Sequence, residues 1–234
     1  MGNSRIKVGL FADAQLQSVW VDPKINSLPQ LVQDESVDQV IACSVASDLD
    51  DFEAKSGLNQ VVKLNPNLAV PINNRYRTPH TLGMDRLAAA IGAHFLYPKA
   101  NCLVIDAGTT VTYDFVDGNG DYFGGGISPG IGLRFKSLHQ HTYQLPHLQV
   151  VDQDTPLVGN DTEGAIQSGV INGLVAEIEG IIRRYEEKFS TLKVVMCGGD
   201  AAFFESKVKA PIFVKPHLVL IGLNSILLHH AQNK

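Results

Sequence analysis

The sequence is short of several things, and each shortage closes off a class of protein. Three cysteines among 234 residues, Cys43, Cys102 and Cys197, are too few for a disulfide scaffold. Each lies in or beside an apolar run without metal-ligand spacing, as reduced core residues of a cytosolic protein do. Charged residues make up only 18% of the chain, and acids outnumber bases 24 to 19, for a net charge of −5. No basic arm or cluster stands ready to meet a phosphate backbone or an anionic bilayer, so neither nucleic acid nor membrane is an expected partner. No uninterrupted apolar run is long enough to cross a membrane, and no signal peptide is read at the N-terminus. His139-Gln140-His141 offers two imidazoles, but it reads better as a solvated helix face than as a metal site. What remains is 44% hydrophobic with 21 glycines and 11 prolines. That composition suits a folded chain able to bury ~70–75% of its unfolded surface, as one large domain or two small ones.

The pattern along the chain is α/β. Lys7–Phe11 and Leu16–Val21 are predicted strands around a short turn, a hairpin signal. A short helix is expected over Ser27–Gln33, then strands over Val40–Val45 and Gln60–Lys63. Thr81–Leu96 is a strong helix, with Leu82, Leu87, Ala90, Ile91 and Phe95 on one stripe and Pro98 beyond its end. The pattern then restarts. Cys102–Asp106, Val111–Val116 and Tyr122–Ile127 are predicted strands, the last two joined by Asp117-Gly118-Asn119-Gly120. Helices follow at Pro129-Gly130 and over Thr162–Phe189, then a strand over Lys193–Cys197 and a final helix over Leu218–His230. Gly2-Asn3-Ser4 with the strand after it resembles Gly108-Thr109-Thr110 with the strand after that. A duplication into two related halves, 1–100 and 101–234, with a cleft between them, fits this order; coincidence between common hairpins is the other explanation.

Two stretches look chemical. In Leu103-Val104-Ile105-Asp106-Ala107-Gly108-Thr109-Thr110, an interior strand runs into a carboxylate, a glycine and two hydroxyls. Such a turn can hold a phosphate on its N–H groups with a cation beside Asp106; a hairpin with a polar turn explains the same residues. In Gly83-Met84-Asp85-Arg86, an acid and a base open an apolar helix. The helix dipole favours an aspartate there but not an arginine. Asp85 could accept a proton from an alcohol, and Arg86 could grip a carboxylate with two hydrogen bonds. The glycine-rich Gly124–Gly132 can let backbone approach a ligand or form a packed turn. Gly198-Gly199-Asp200, after a buried strand, stands where α/β sheets contact nucleotides.

Taken together, Tyr76–Arg86, Ile105–Thr110, Gly124–Gly130, Asp161–Gly169 and Cys197–Asp200 resemble, in order and spacing, the motifs of the type III pantothenate kinases, over essentially the whole chain. The resemblance implies the fold of the acetate and sugar kinase/Hsp70/actin superfamily: two ribonuclease-H-like halves of mixed sheet flanked by helices, closing over ATP. It implies phosphorylation of pantothenate, a cytoplasmic homodimer, and dependence on Mg²⁺ and on K⁺ or NH₄⁺. By the same resemblance Asp85 is the proton acceptor, and Tyr76, Gly83, Met84, Arg86 and Thr162 contact the substrate, Thr162 at a dimer interface. Asp106 is the monovalent-cation ligand. Gly2, Asn3, Ser4, Lys7, Gly108, Thr109, Thr110, Gly198 and Gly199 face ATP.

The sequence departs from the family pattern at one place. The first phosphate motif of the family is Asp-x-Gly-Asn-Thr/Ser. Gly2-Asn3-Ser4 matches its last three positions with Met1 at x, so the aspartate has no counterpart. The expectation is a chain that begins late, lacking one strand of its first sheet. The competing expectations are a non-catalytic homologue that binds nucleotide or pantothenate, and a kinase of another small alcohol.

Overall fold

The computed structural model describes residues 5–44, 48–150 and 154–232. Val45, within one expected strand, and Gly2, Asn3 and Ser4 lie outside the described residues. In chain order the elements are β1 (Lys7–Ala12), β2 (Gln15–Val21), α1 (Leu28–Asp34), β3 (Ile41–Ala42), α2 (Leu49–Ser56), β4 (Val62–Lys63), β5 (Asn73–Asn74) and α3 (Met84–Leu96). They continue as β6 (Asn101–Ala107), β7 (Thr110–Val116), β8 (Asp121–Pro129), α4 (Ile131–His141), α5 (Thr162–Lys188), β9 (Leu192–Cys197), α6 (Ala201–Glu205), β10 (Phe213–Val214) and α7 (Leu218–Gln232). The chain forms two compact units. Of the described residues, the first takes those up to Lys99, Val116–Phe123 and those from His217 onward; the second takes Ala100–Phe115 and Gly124–Pro216.

In the first unit β1 and β2 form an antiparallel hairpin, β3 and β4 pair in parallel, and β5 pairs in parallel with the start of β8. Two of the expected strands are shorter than predicted. Only Ile41–Ala42 and Val62–Lys63 pair, and Gln60 instead turns the chain at a φ of 60°. Between them lies α2, which the apolar pattern does not announce. It is a short, charged helix capped by Asp48, whose side chain accepts from Asp50 N, and closed by Gly57 in the left-handed region.

Helix α3 is buried on nearly every side, from Met84 through Ala93, apart from the half-buried Asp85. Its small residues let α7 come close. A Cβ on Gly222 would lie 1.8 Å from the Ala88 carbonyl oxygen, and one on Gly92 would lie 2.4 Å from that of Leu218. This backbone-to-backbone approach joins the last helix of the chain to the first unit. Phe95, expected on the buried stripe, is 41% exposed, because the packing ends a turn earlier than the apolar pattern does.

The C-terminal part of α3 holds a buried titratable group. His94 Nδ1 is buried without a hydrogen-bond partner. Its ring packs on the β7–β8 turn, where a Cβ on Gly120 would lie 3.3 Å from Nε2. Burial pushes the His94 pKa below its ordinary value, with the Asp117 carboxylate opposing. His217 is lowered in the same way, by burial and then by Lys7. An imidazole depressed in the fold is protonated first in the unfolded chain, so its share of stability is whole above an unfolded pKa of roughly 6.5 and is lost as pH falls below it. Urea midpoints are therefore expected to fall between neutral pH and pH ~5. His94→Gln should flatten that fall, and an unchanged slope would remove His94 as its source.

In the second unit the strand order is β10-β9-β6-β7-β8. Strand β6 pairs in parallel with β9, with Asp106 opposite Cys197, and β9 pairs in parallel with β10. The two-residue link from β6 to β7 can only join antiparallel neighbours, so the sheet is mixed. Leu103, Ile105, Val111, Val194 and Met196 from this sheet pack with Ile131 and Phe135 of α4 and with α5. At 27 residues, α5 is long enough to span a bilayer and apolar enough over part of its length. Its apolar stripe, Ile166, Val170, Ile171, Leu174, Ile178 and Ile182, is spent in the core of this unit, and charged residues crowd its last turns. All three cysteines are buried thiols outside any disulfide, and burial pushes the Cys102 thiol up to about 12.

Candidate functional site

The two chemical stretches fall on different units. In the first unit, Gly83 is the N-cap of α3 and supplies no side-chain cap. Its φ and ψ are extended, so backbone strain does not require glycine there; space does. A Cβ on Gly83 would sit 2.7 Å from Asp85 Oδ1. That oxygen folds back to accept from Arg86 N at 2.8 Å. The carboxylate is half-buried on the first turn, where the helix dipole stabilises its charge. Arg86 is only 8% exposed, and its guanidinium lies over the Tyr76 ring, 5.8 Å from the centroid. Tyr76 in turn stacks on the fully buried Tyr122 at 6.4 Å. A cation against an aromatic face, largely out of water, is a strong and oriented partner for a carboxylate. Met84 is buried and packs in the core. Burial pushes the nearby Cys43 thiol up, and the Asp85 carboxylate contributes in the same direction. Lys7 lies half-buried on β1.

In the second unit three loops converge at the ends of β6 and β9. The turn after β6 is closed by Gly108 N donating to Thr110 O at 3.0 Å. Thr109 is exposed at its tip, and Thr110 begins β7 half-buried. From β9 the chain passes through Gly198, whose φ of 98° favours glycine. A Cβ there would lie 2.2 Å from the Ala107 carbonyl oxygen and 2.5 Å from Asp106 Oδ1. Asp200 N then donates to Ala107 O at 2.9 Å, tying this loop to the end of β6. The third loop enters from β8, with Gly130 N donating to Thr109 O at 3.1 Å. Thus Asp106, Gly108, Thr109, Thr110 and Gly198 come together. Gly199 is exposed beside them, with open space where a Cβ would be.

Two participants here lie in stretches that the sequence marked, but neither was given a site role of its own. Asp200 is half-buried, and burial pushes its carboxyl above the usual range; its only sequence signal is the glycine pair before it. Gly130 touches the turn by backbone alone, within the glycine-rich Gly124–Gly132 that could either approach a ligand or form a packed turn. Thr162 opens α5 exposed, next to the cap in which Asp161 accepts from Gly164 N at 2.7 Å. His139 and His141 are exposed on the last turn of α4.

The described residues hold no cluster of three or more His, Cys, Asp or Glu that could hold a metal ion. At the end of β6 the Asp106 carboxylate and the Ala107 carbonyl oxygen both lie against the Gly198 backbone. Such hard oxygen donors fit a loosely held alkali-type cation better than a transition metal.

The sequence model of the family described as type III pantothenate kinase matches residues 1–184. The chain is 43% identical over 231 residues to the type III pantothenate kinase of Cytophaga hutchinsonii, covering 99% of this chain and 97% of that one. It is 39% identical over 240 residues to that of Flavobacterium johnsoniae, covering 100% and 97%. Among solved structures it superposes on a conserved putative Baf family transcriptional activator from Campylobacter jejuni, with a TM-score of 0.62 at 21% identity over 99% of this chain and 96% of that one. A putative N-acetylmannosamine kinase from Listeria monocytogenes gives 0.54 at 12% identity over 100% and 97%. At these identities the structural likenesses establish the fold, an α/β architecture of the acetate and sugar kinase/actin kind.

Proposed function

Because the chain belongs to the type III pantothenate kinase family and so phosphorylates pantothenate with ATP, in coenzyme A biosynthesis, we propose that Asp85 is the base that takes the proton of the accepting hydroxyl. The hydroxyl oxygen attacks the γ-phosphorus, the bond to the β–γ bridging oxygen breaks, and the released proton goes to the Asp85 carboxylate. Arg86, steadied by Tyr76, holds the carboxylate of pantothenate, while Gly83 and Met84 shape the loop around it. Thr162 adds a contact across the interface of a cytoplasmic homodimer. The observation that carries this reading is the start of α3, where a glycine leaves room for a half-buried carboxylate beside a buried arginine.

On the second unit, the N–H groups of Gly108–Thr110 and the glycines Gly198 and Gly199 receive the phosphates of Mg-ATP; Lys7 and Gly2-Asn3-Ser4 are assigned to ATP by the family resemblance alone. Asp106 holds the monovalent cation, K⁺ or NH₄⁺, which offsets phosphate charge. Phosphoryl transfer asks for positioning and charge neutralisation rather than covalent help, and these residue types supply both.

The test is ATP-dependent formation of phosphopantothenate, measured with and without K⁺ on the native chain and on Asp106→Ala. Product is expected only with ATP, K⁺ should stimulate the native chain, and the variant should lose most of that response. Equal stimulation of both proteins would unseat Asp106. ATP binding with no product under any condition would mark a binding protein instead.

A further inference from the structure

We propose that Arg134, locked by Glu177, is a positioning residue for the phosphate-binding turn, acting through Pro129 and Gly130 on Gly108 and Thr109. The inference rests on the reading that Gly108–Thr110 receives the phosphates of ATP.

Arg134 stands on the first turn of α4. Its Nε donates to the Pro129 carbonyl at 2.9 Å, and its Nη2 donates to Ser128 Oγ at 2.9 Å and pairs with the Glu177 carboxylate. Glu177, on α5, also accepts from the Tyr113 hydroxyl at 2.8 Å. Tyr113 belongs to β7, the strand that leaves the turn, and is 4% exposed. One guanidinium thus clamps the loop before α4 to the long core helix and to the strand that follows the turn. Burial alone would push the Glu177 carboxyl up, but hydrogen bonds from Arg134, Ser128 and Tyr113 outweigh it, so the group stays ionised and its bonds charge-assisted.

The clamped loop bears on the turn by backbone. Besides the Gly130 N–H bond to Thr109 O, a Cβ on Gly130 would lie 2.1 Å from Gly108 O and 2.7 Å from Thr109 O. No flexible side chain stands between Pro129, which Arg134 holds, and the two residues that form the turn. A displacement of Pro129 is passed on with little slack, and a phosphate cradle is sensitive to displacements well below 1 Å. Stability alone is a poor explanation for the cluster. Arg134 and Glu177 are 22% and 28% exposed, and ion pairs taken partly out of water return little beyond what an apolar pair would. What such a network does supply is a single geometry.

The test is steady-state kinetics on the full chain, varying ATP and pantothenate separately. Arg134→Ala is expected to raise KM for ATP about tenfold or more, the scale of a lost charge-assisted hydrogen bond, with KM for pantothenate unchanged. Tyr113→Phe removes only a hydroxyl and should raise KM for ATP about threefold. Ile182→Val, in the same core, should lower Tm and move neither constant. Where Arg134→Ala fails to fold, Tyr113→Phe decides. A rise in both constants together would mean general loosening and overturn the proposal, as would no change for ATP. Thr109→Asp, which puts a carboxylate at the exposed tip of the turn, separates the two levels. If it leaves KM for ATP untouched, the reading of the turn fails and the positioning role with it. If it raises KM while Arg134→Ala and Tyr113→Phe do not, the turn stands and the positioning role fails.

Discussion

Asp85→Asn is expected to lower turnover by roughly 10²–10⁴-fold, the usual contribution of a positioned general base. The substitution is nearly isosteric. Asparagine keeps an Oδ1 able to accept from Arg86 N, as the carboxylate does at 2.8 Å, and it adds no bulk toward Gly83. The start of α3 should therefore keep its geometry, and a fall in kcat reports the lost proton acceptor rather than a lost fold. The amide retains no charge for the helix N-terminus, which costs about 0.3–1 kcal/mol of stability. ATP affinity, which is assigned to other residues, should be unaffected. The measurement is kcat beside ATP binding by calorimetry. Near-native turnover would remove Asp85 as the base, and loss of ATP binding would mean that the variant is misfolded.

Gly198→Ala is expected to abolish most activity for a different reason. The residue has φ of 98°, outside what alanine readily adopts, and its Cβ would overlap the Ala107 carbonyl oxygen at 2.2 Å and Asp106 Oδ1 at 2.5 Å. The obstacle is backbone, so the loop after β9 must move away from the end of β6. The strain and overpacking together cost on the order of 1–3 kcal/mol. The larger effect is on function, because Asp106 and the Ala107 carbonyl are pushed at the place where cation and phosphates are proposed to sit. Tm should fall by several degrees, with a loss of kcat/KM for ATP of about tenfold or more. Gly199→Ala is the internal control. Its Cβ meets open space, and its stability should change little. Equal Tm values for the two variants would show that the crowding at Gly198 is not real.

The sheet of the second unit was legible because three of its strands are rich in apolar and β-branched residues and the fourth, Asp121–Pro129, opens on a tyrosine and a phenylalanine after a turn. Asn101–Ala107, Thr110–Val116, Asp121–Pro129 and Leu192–Cys197 each extend the predicted strand by a residue or two at most ends. The turns between them carry Gly and Asp, which mark chain reversals without reference to anything distant. Helix α2 escaped notice because Leu49–Ser56 is short, charged and weakly amphipathic, so only its Asp48 cap and its packing on the first unit sustain it. The strands β5 and β10 are two residues each and exist only by pairing with β8 and β9.

The candidate site divides the same way. The types and spacing of Gly83-Met84-Asp85-Arg86 and Asp106-Ala107-Gly108-Thr109-Thr110 made them candidates, because an acid beside a base and a turn of glycine and hydroxyls stand out with few neighbours in view. Sequence by itself thus determined the α/β class, the strands on either side of Gly108 and Thr109, the family and the reaction. Only the tertiary structure decided that α7 returns to α3, because Gly92 and Gly222 carry no signal until two backbones meet at them. It alone brought Arg134 and Tyr113 to Glu177, which lies 43 and 64 positions further along the chain from them. Local propensity and periodicity act over a few residues, whereas close helix approach and buried charge networks depend on distances that exist only after the chain has folded.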